Sequence, residues 1–299
     1  MFRNGLICAL LLGILSSCGK TEENEYQLGL GAEKKDQVKE YVVGVHPLHN
    51  PQKLMELYGP IVEYINVHIP EAHFKLEASR DYADFERKLY AGEFDFAMPN
   101  PYQTVRSVDH GYRIFGKMGD DQDFCGIVLV RKDSGIHEVI DLKGKAVAYP
   151  APTALAATMM PQYYFQTHGI DVNKDIKNMY VGSQESSILD VLRGHVAAGA
   201  TWPVPWKIFS AEHPEMASQL EVKWQTGTLP NNGWVVRKDV SPQMADKFKS
   251  LLLSLNESEQ GRRMLDRLPV SRFEEASDET YKPVRDFLEV FTKKVRPIE

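Results

Sequence analysis

The chain is 299 residues long and carries 35 Lys and Arg against 41 Asp and Glu, a formal net charge of −6 at pH 7. Such a balance offers no basic stripe to a phosphate backbone, and aromatic and basic residues do not interleave in a stacking pattern, so nucleic acid is excluded as a partner. Three cysteines without a CxxC pair, a HExxH run or a His/Cys cluster at zinc spacing exclude a disulfide framework and a metal centre, and no cofactor is expected.

Residues 1–17 read as a signal peptide. Arg3 precedes an apolar run from Leu6 to Leu15, well short of the roughly 20 residues that span a bilayer. Small residues then lead to a cysteine in Leu15-Ser16-Ser17-Cys18. This end resembles the lipobox of bacterial lipoproteins, which implies cleavage before Cys18, lipid attached to it, and a domain tethered to a membrane of the bacterial cell envelope. The alternative is a plain secretory signal with an incidental cysteine. Removing the segment takes away Cys8 and Arg3, which leaves a charge near −7, one positive charge below −6. With Cys18 lipidated, Cys125 has no partner and is expected to be a small buried apolar group. Residues 18–39 are polar, lack apolar periodicity and read as a flexible tether.

Beyond the tether the pattern alternates. A strand at 41–45 is followed by an amphipathic helix at 52–68, where Leu54, Leu57, Tyr58, Ile61, Val62 and Ile65 recur at spacings of three and four. Strands at 74–77, 94–98 and 112–117 alternate with helices at 82–91 and 104–110, which implies a parallel sheet. The apolar run 124–131 is long enough to leave one sheet and enter another. Residues 141–170 then carry a buried strand at 145–149 and a helix at 152–167, a strand-to-helix turn whose first-turn N–H groups make a natural anion seat. Strands at 177–181, 196–200 and 220–225 with helices at 186–193 and 206–211 complete a second sheet. Residues 233–237 form a further strand, and everything after Pro242 reads as helical: 242–255, 258–267 and 278–294. No internal repeat is found.

Two lobes follow, residues 40–128 with 235–299 as the first and 129–234 as the second. The hinge is placed at two crossing strands, 124–131 and 233–237, and the cleft at the carboxyl ends of the strands.

In order and spacing, several motifs resemble one family. They are Leu89-Tyr90-Ala91-Gly92-Glu93-Phe94-Asp95-Phe96-Ala97, Val130-Arg131-Lys132-Asp133-Ser134-Gly135-Ile136, Asp141-Leu142-Lys143-Gly144-Lys145, Gly169-Ile170-Asp171 and Val235-Val236-Arg237-Lys238-Asp239. The family is that of the periplasmic phosphate, phosphite and phosphonate-binding proteins of ABC transporters. It implies the α/β, two-lobed type II periplasmic-binding fold, each lobe a mixed, mostly parallel sheet flanked by helices. It also implies a non-enzymatic monomer that captures a small molecule for an ABC permease. The family's anion seat matches Pro152-Thr153-Ala154-Leu155-Ala156-Ala157, where relatives carry a Ser/Thr-rich run. Here methyl groups replace hydroxyls, with only Thr153 and Thr158 nearby, which argues against phosphoryl ligands. Where relatives carry acids facing a ligand amine, this chain has Thr201-Trp202-Pro203-Val204-Pro205-Trp206, which suggests an apolar or aromatic ligand face.

The candidate ligand contacts are the residues at strand ends: His46, Asn100, Tyr102, Tyr149, Thr153, Ser183, Gln184, Thr201, Trp202 and Asn232. Each has a plainer role to weigh. His46 can close a turn, Asn100, Thr153 and Ser183 can cap helices, and Tyr102, Trp202 and Trp206 can be core. Two other function classes stand beside capture. One is the same module reporting to a membrane kinase or chemoreceptor. The other is an enzyme, for which Cys125 with His46 or His110 is the single conceivable thiol pair.

Overall fold

The computed structural model describes residues 38–298. The signal segment, Cys18 and most of the tether lie outside that range. The first strand, β1 (Lys39–Val45), begins at the last residue assigned to the tether. No described helix is long and apolar enough to cross a membrane.

Two sheets organise the chain. The first contains β1, β2 (Ala72–Ala78), β3 (Phe96–Met98), β4 (Tyr112–Met118), β10 (Gly233–Arg237) and β11 (Phe273–Glu275), in the order β11-β4-β10-β3-β1-β2. The second contains β5 (Cys125–Arg131), β6 (Ala146–Tyr149), β7 (Lys177–Tyr180), β8 (Ala198–Thr201) and β9 (Leu220–Thr228), in the order β7-β6-β8-β5-β9. In lobe 1, β10 runs antiparallel between β3 and β4, and β11 pairs antiparallel with β4; in lobe 2, β5 runs antiparallel between β8 and β9. The remaining pairs are parallel.

Three expectations change here. Neither sheet is mostly parallel: antiparallel pairings outnumber parallel ones in the first and equal them in the second. The strands at 124–131 and 233–237 do not cross between lobes: β5 pairs only within the second sheet and β10 only within the first. The chain passes between sheets in the short connections 119–124 and 229–232. The boundaries at 128/129 and 234/235 therefore fall inside strands. An apolar run was read as a crossing because burial on both faces makes such a run however its ends are placed. Residues after Pro242 are also not all helical. β11 is a three-residue edge strand with Phe273 its one buried residue, and only its pairing with β4 defines it.

The helices follow their caps. Asn50 accepts from Lys53 N (2.9 Å) to start α1 (Pro51–His68), and Asp81 accepts from Asp84 N (2.8 Å) to start α2 (Tyr82–Tyr90). Asn100 and Gln103 form a capping box on α3 (Pro101–Asp109), which therefore starts three residues earlier than expected. In lobe 2 a π-helical turn at Leu155–Met159 leads into α4 (Met160–Thr167), so residues 152–154 are not helical as expected. Then come α5 (Gln184–Leu192), α6 (Pro203–Glu212) and α7 (Pro214–Ala217). Back in lobe 1 are α8 (Pro242–Leu253), α9 (Glu259–Arg267) and α10 (Lys282–Lys294).

Alternation along the strands divides the core. Tyr41, Phe74, Phe96 and Trp234 point to the face covered by α1 and α8, where Phe248 stacks on Phe96 with ring centres 4.1 Å apart. Val235 and Ala97 point to the opposite face, against Phe85 and Leu89 of α2. In lobe 2, Cys125, Ile127 and Leu129 face α5 and α6, while Val128 and Val130 face the side of the π-turn and α4.

The recurrent motifs are scaffold. The Asp95 carboxylate accepts from Val42 N and from Arg237 Nη2, both at 2.8 Å, and Arg237 Nη1 donates to Gly92 O (2.6 Å). Arg131 does the same work in lobe 2, gripping Asp133 (2.7 Å) and donating to Leu192 O (2.6 Å).

Candidate functional site

The carboxyl ends of β1, β3, β6 and β8 meet along the seam between the lobes, and several bonds cross it. Asn100 Nδ2 donates to Thr153 O (3.1 Å), and Gln184 Nε2 donates to Tyr82 OH (3.4 Å). Thr153 Oγ1 donates to Glu86 Oε1. Further out, Asn50 Nδ2 reaches Glu185 Oε2 (3.2 Å) and Lys53 pairs with Glu212. The lobes are thus in direct contact, with the strand-end residues of one bonded to those of the other.

The seat itself is the turn after β6. Its first intrahelical bond runs from Thr158 N to Ala154 O (2.9 Å), so the amides of Leu155, Ala156 and Ala157 precede the ladder. Neither threonine hydroxyl is left over: Thr158 Oγ1 donates to Ala151 O (2.7 Å) and Thr153 Oγ1 to Glu86. Gly126 of β5 passes so close that a Cβ there would lie 2.5 Å from Ala156 O and 2.7 Å from Pro161 Cδ. The seat is backed by backbone.

Of the ten candidates, six belong to this seam. Asn100, Thr153 and Gln184 make the cross-lobe bonds described, while Thr201 Oγ1 donates to Gln184 Oε1 (2.8 Å) and holds that amide in place. Tyr149 is fully buried at the end of β6, and its hydroxyl has no hydrogen-bond partner among the described residues. Burial pushes its phenol well up, against a small opposing effect of the Arg296 guanidinium. His46 is buried at the end of β1, donates from Nδ1 to Met98 O (2.9 Å) and meets Tyr82 edge-on. Burial holds it neutral, with its pKa lowered to about 4.

The other four are placed differently. Ser183 accepts from Ser186 N (3.0 Å), the capping role. Tyr102 is buried in the first turn of α3, its phenol pushed up by burial and by the nearby Glu86 carboxylate. Trp202 is buried 5.6 Å from Phe124, beside a lobe connection, and Trp206 stacks on Phe209 within α6. Asn232 sits in the other connection, its amide against Met118 Sδ (3.3 Å) and its carbonyl accepting from Met118 N (2.8 Å).

Glu86 escaped the sequence reading. Its carboxylate accepts from Thr153 Oγ1 and Gln103 Nε2 (2.9 Å), forms no ion pair among the described residues, and is pushed upward by burial. The signal was present: Glu86 lies four residues after Tyr82 and three before Leu89, on the buried face of α2. His49 was also passed over. It sits beside His46, with a buried Nε2 lacking a partner among the described residues and a pKa lowered to about 3, first by burial. A cavity of about 540 Å³ opens at the seam, lined by Tyr82, Glu86, Pro152, Thr153, Tyr180 and Arg296. A larger groove of about 860 Å³ lies between α1 and α9 and includes none of the strand-end residues.

The thiol pairing finds no support in this geometry. Burial raises Cys125 to about 11, the reverse of an activated nucleophile, while His46 bonds to Met98 O and His110 stacks on Tyr90.

Comparison with known proteins agrees with this architecture. A curated relative, the phosphonates-binding periplasmic protein of Escherichia coli (strain K12), is 22% identical over 265 residues, covering 85% of this chain and 77% of the relative. A binding protein component of an ABC phosphonate transporter from Pseudomonas aeruginosa superposes with a TM-score of 0.80 at 19% identity, covering 86% of this chain and 87% of that one. PhnD1 from Prochlorococcus marinus in complex with methylphosphonate gives 0.78 at 19% identity, covering 85% and 99%. The family model for the periplasmic substrate-binding protein of phosphonate ABC transporters matches residues 43–281. That span takes in strands of both sheets and the strand-end residues at the seam, and the chain belongs to this family of ABC-transporter substrate-binding proteins.

Proposed function

We propose that this protein is anchored through lipid on Cys18, captures a small ligand between its lobes and delivers it to the permease of an ABC importer. The observation that carries the reading is the convergence on Thr153, where Asn100 and Glu86 of lobe 1 meet the first turn of the lobe 2 seat. A ligand bridging those elements stabilises the closed arrangement because it touches both lobes only there.

The seat also bears on ligand chemistry. Three relatives are named for, or crystallised with, phosphonates, but here both nearby threonine hydroxyls already donate within the protein. Hydrogen bonds to a charged group are worth roughly 1.5–3 kcal/mol each, so a seat short of two or three hydroxyls weakens a phosphoryl group by several powers of ten. The Glu86 carboxylate adds repulsion toward a dianion. The favoured ligand is a small organic molecule whose polar head uses the Leu155–Ala157 amides and whose other end is apolar or donates to Glu86.

A melting screen tests this, since a ligand at about 100 times its Kd stabilises the fold by roughly 2.7 kcal/mol. Millimolar phosphate or methylphosphonate is expected to leave the melting temperature unchanged. The molecule retained on gentle purification from the host, identified by mass spectrometry, is expected to raise it. A rise of several degrees with methylphosphonate would return the protein to phosphonate capture. Release of unlipidated mature protein from the unaltered gene would remove the anchor from the reading.

A further inference from the structure

We propose that the segment following α10 is a strap that clips lobe 2 to lobe 1 and holds the cleft shut, with Arg296 as its clasp. The proposal uses the two-lobed architecture but not the identity of any ligand.

α10 lies across the seam. On one side it borders the groove shared with Tyr102, Val105 and Arg106 of α3, and on the other Phe287 meets Tyr163 of α4 edge-on, with ring centres 5.6 Å apart. Its last turn then continues onto lobe 2. Val295 is buried, and its carbonyl accepts from Asn173 Nδ2 (2.7 Å). The Arg296 guanidinium packs over Phe291 at 5.2 Å, which fixes it from α10. From there Nη2 donates to Pro152 O (2.7 Å) and Nε to Gln162 Oε1 (3.0 Å).

Both acceptors matter for where the force falls. Gln162 is fully buried and passes the connection on, donating from Nε2 to Asn178 Oδ1 and Tyr180 OH, both at 3.2 Å. Pro152 immediately precedes Thr153, the residue that Asn100 and Glu86 hold. Two successive residues of the seat are therefore held from α2, α3 and the segment after α10 together. Proline's fixed φ makes that turn a stiff handle. Arg296 forms no ion pair among the described residues, and its side-chain bonds there go to neutral acceptors.

Opening the lobes must then break the Arg296 bonds or carry the strap away from α3. This link adds to the bonds across the seam and to the two covalent connections, 119–124 and 229–232.

Hydrogen exchange on the full-length protein without added ligand tests the strap, comparing the unaltered chain with Arg296→Ala, Arg296→Lys and Asn173→Ala. Loss of two bonds from a charged donor is expected to speed exchange about tenfold in peptides covering residues 150–160. The decisive peptides are 46–54 and 184–190 on the far rim, where Asn50 meets Glu185 and Lys53 meets Glu212. Arg296 touches none of these, so faster exchange there reports opening rather than local loosening. Asn173→Ala is expected to act in the same direction and less strongly. Arg296→Lys is expected to fall between, since an ammonium cannot serve both acceptors in a planar fork. Far-rim exchange equal to the unaltered protein in both alanine variants would overturn the strap, whatever happens at residues 150–160. The ligand reading would be untouched by that result.

Discussion

At the scale of single residues, the seam is dominated by polar groups whose state is set by burial. His46 titrates near 6.5 when unfolded and at about 4 in the fold. Between those values the unfolded chain binds a proton that the native chain refuses, so stability falls as pH drops from about 6.5 toward 4 and returns as pH rises. The shift corresponds to a loss of roughly 3 kcal/mol by pH 4, and His49 acts in the same direction. His46→Asn keeps a donor for Met98 O without titrating, and is expected to flatten the dependence of the denaturation midpoint on pH between 7 and 4. An unchanged slope would show that other groups carry the effect. Residue placements were partly legible. Asn100, Thr153 and Gln184 follow from the rule that ligands meet the carboxyl ends of strands, and all three make cross-lobe bonds. Glu86 does not follow from that rule because it reaches the seam from the side of a helix. Its legible mark was a charge on an otherwise apolar face.

Among elements, regular pieces with strong periodicity were read within a few residues, and irregular ones were not. Apolar spacing defines α1, whereas β11 exists through its pairing with β4 and has no local pattern to betray it. The π-turn at Leu155–Met159 was read as the start of an ordinary helix, because Ala and Met suit either form. What shapes it is the approach of β5: Gly126 leaves room for Ala156 O and Pro161. Gly126→Ala is expected to cost about 1–3 kcal/mol by forcing strand and turn apart, read as a melting temperature lowered by several degrees. A variant as stable as the parent would mean the turn yields freely. One device recurs in both lobes: a helix ends at a glycine with φ near 70°, Gly92 or Gly194. An arginine from a strand then grips the backbone at that end, Arg237 on Gly92 O and Arg131 on Leu192 O, while pairing with an aspartate two residues on. The sequence fragments Arg131-Lys132-Asp133 and Arg237-Lys238-Asp239 carry this likeness. It went unnoticed as a repeat because the elements between them differ in order.

For the whole molecule, the two connections are fastened to lobe 1. Lys117, buried at the end of β4, pairs with Asp121 (2.9 Å) and Glu274 (2.7 Å), and Asp121 also accepts from Asn231 N (2.9 Å). Tyr281 OH donates to Asn231 O (2.6 Å), which ties the second connection to the segment before α10. Bending between the lobes would thus fall on the lobe 2 side of each connection, near Phe124 and Leu229. Solution scattering is expected to show a particle larger than the contact arrangement described here when no ligand is present, contracting when the retained ligand is restored. A radius that stays at the larger value with saturating ligand would argue against closure. The existence of two lobes was legible because helix and strand alternation restarts after residue 131. The position of the connections was not, since a strand's partner sheet is a long-range property.

The arrangement of the first sheet also governs when it can be built. β10 occupies the gap between β3 and β4, yet it is synthesised only after the whole of the second lobe. Until it arrives, β3 and β4 have no common neighbour, and Trp234, the largest side chain fully buried among the described residues, is missing from beside Phe115. The second sheet, by contrast, is one uninterrupted stretch of chain and can form from its own residues. Synthesis from the amino end therefore makes every strand of the second sheet available before β10 and β11 exist to complete the first.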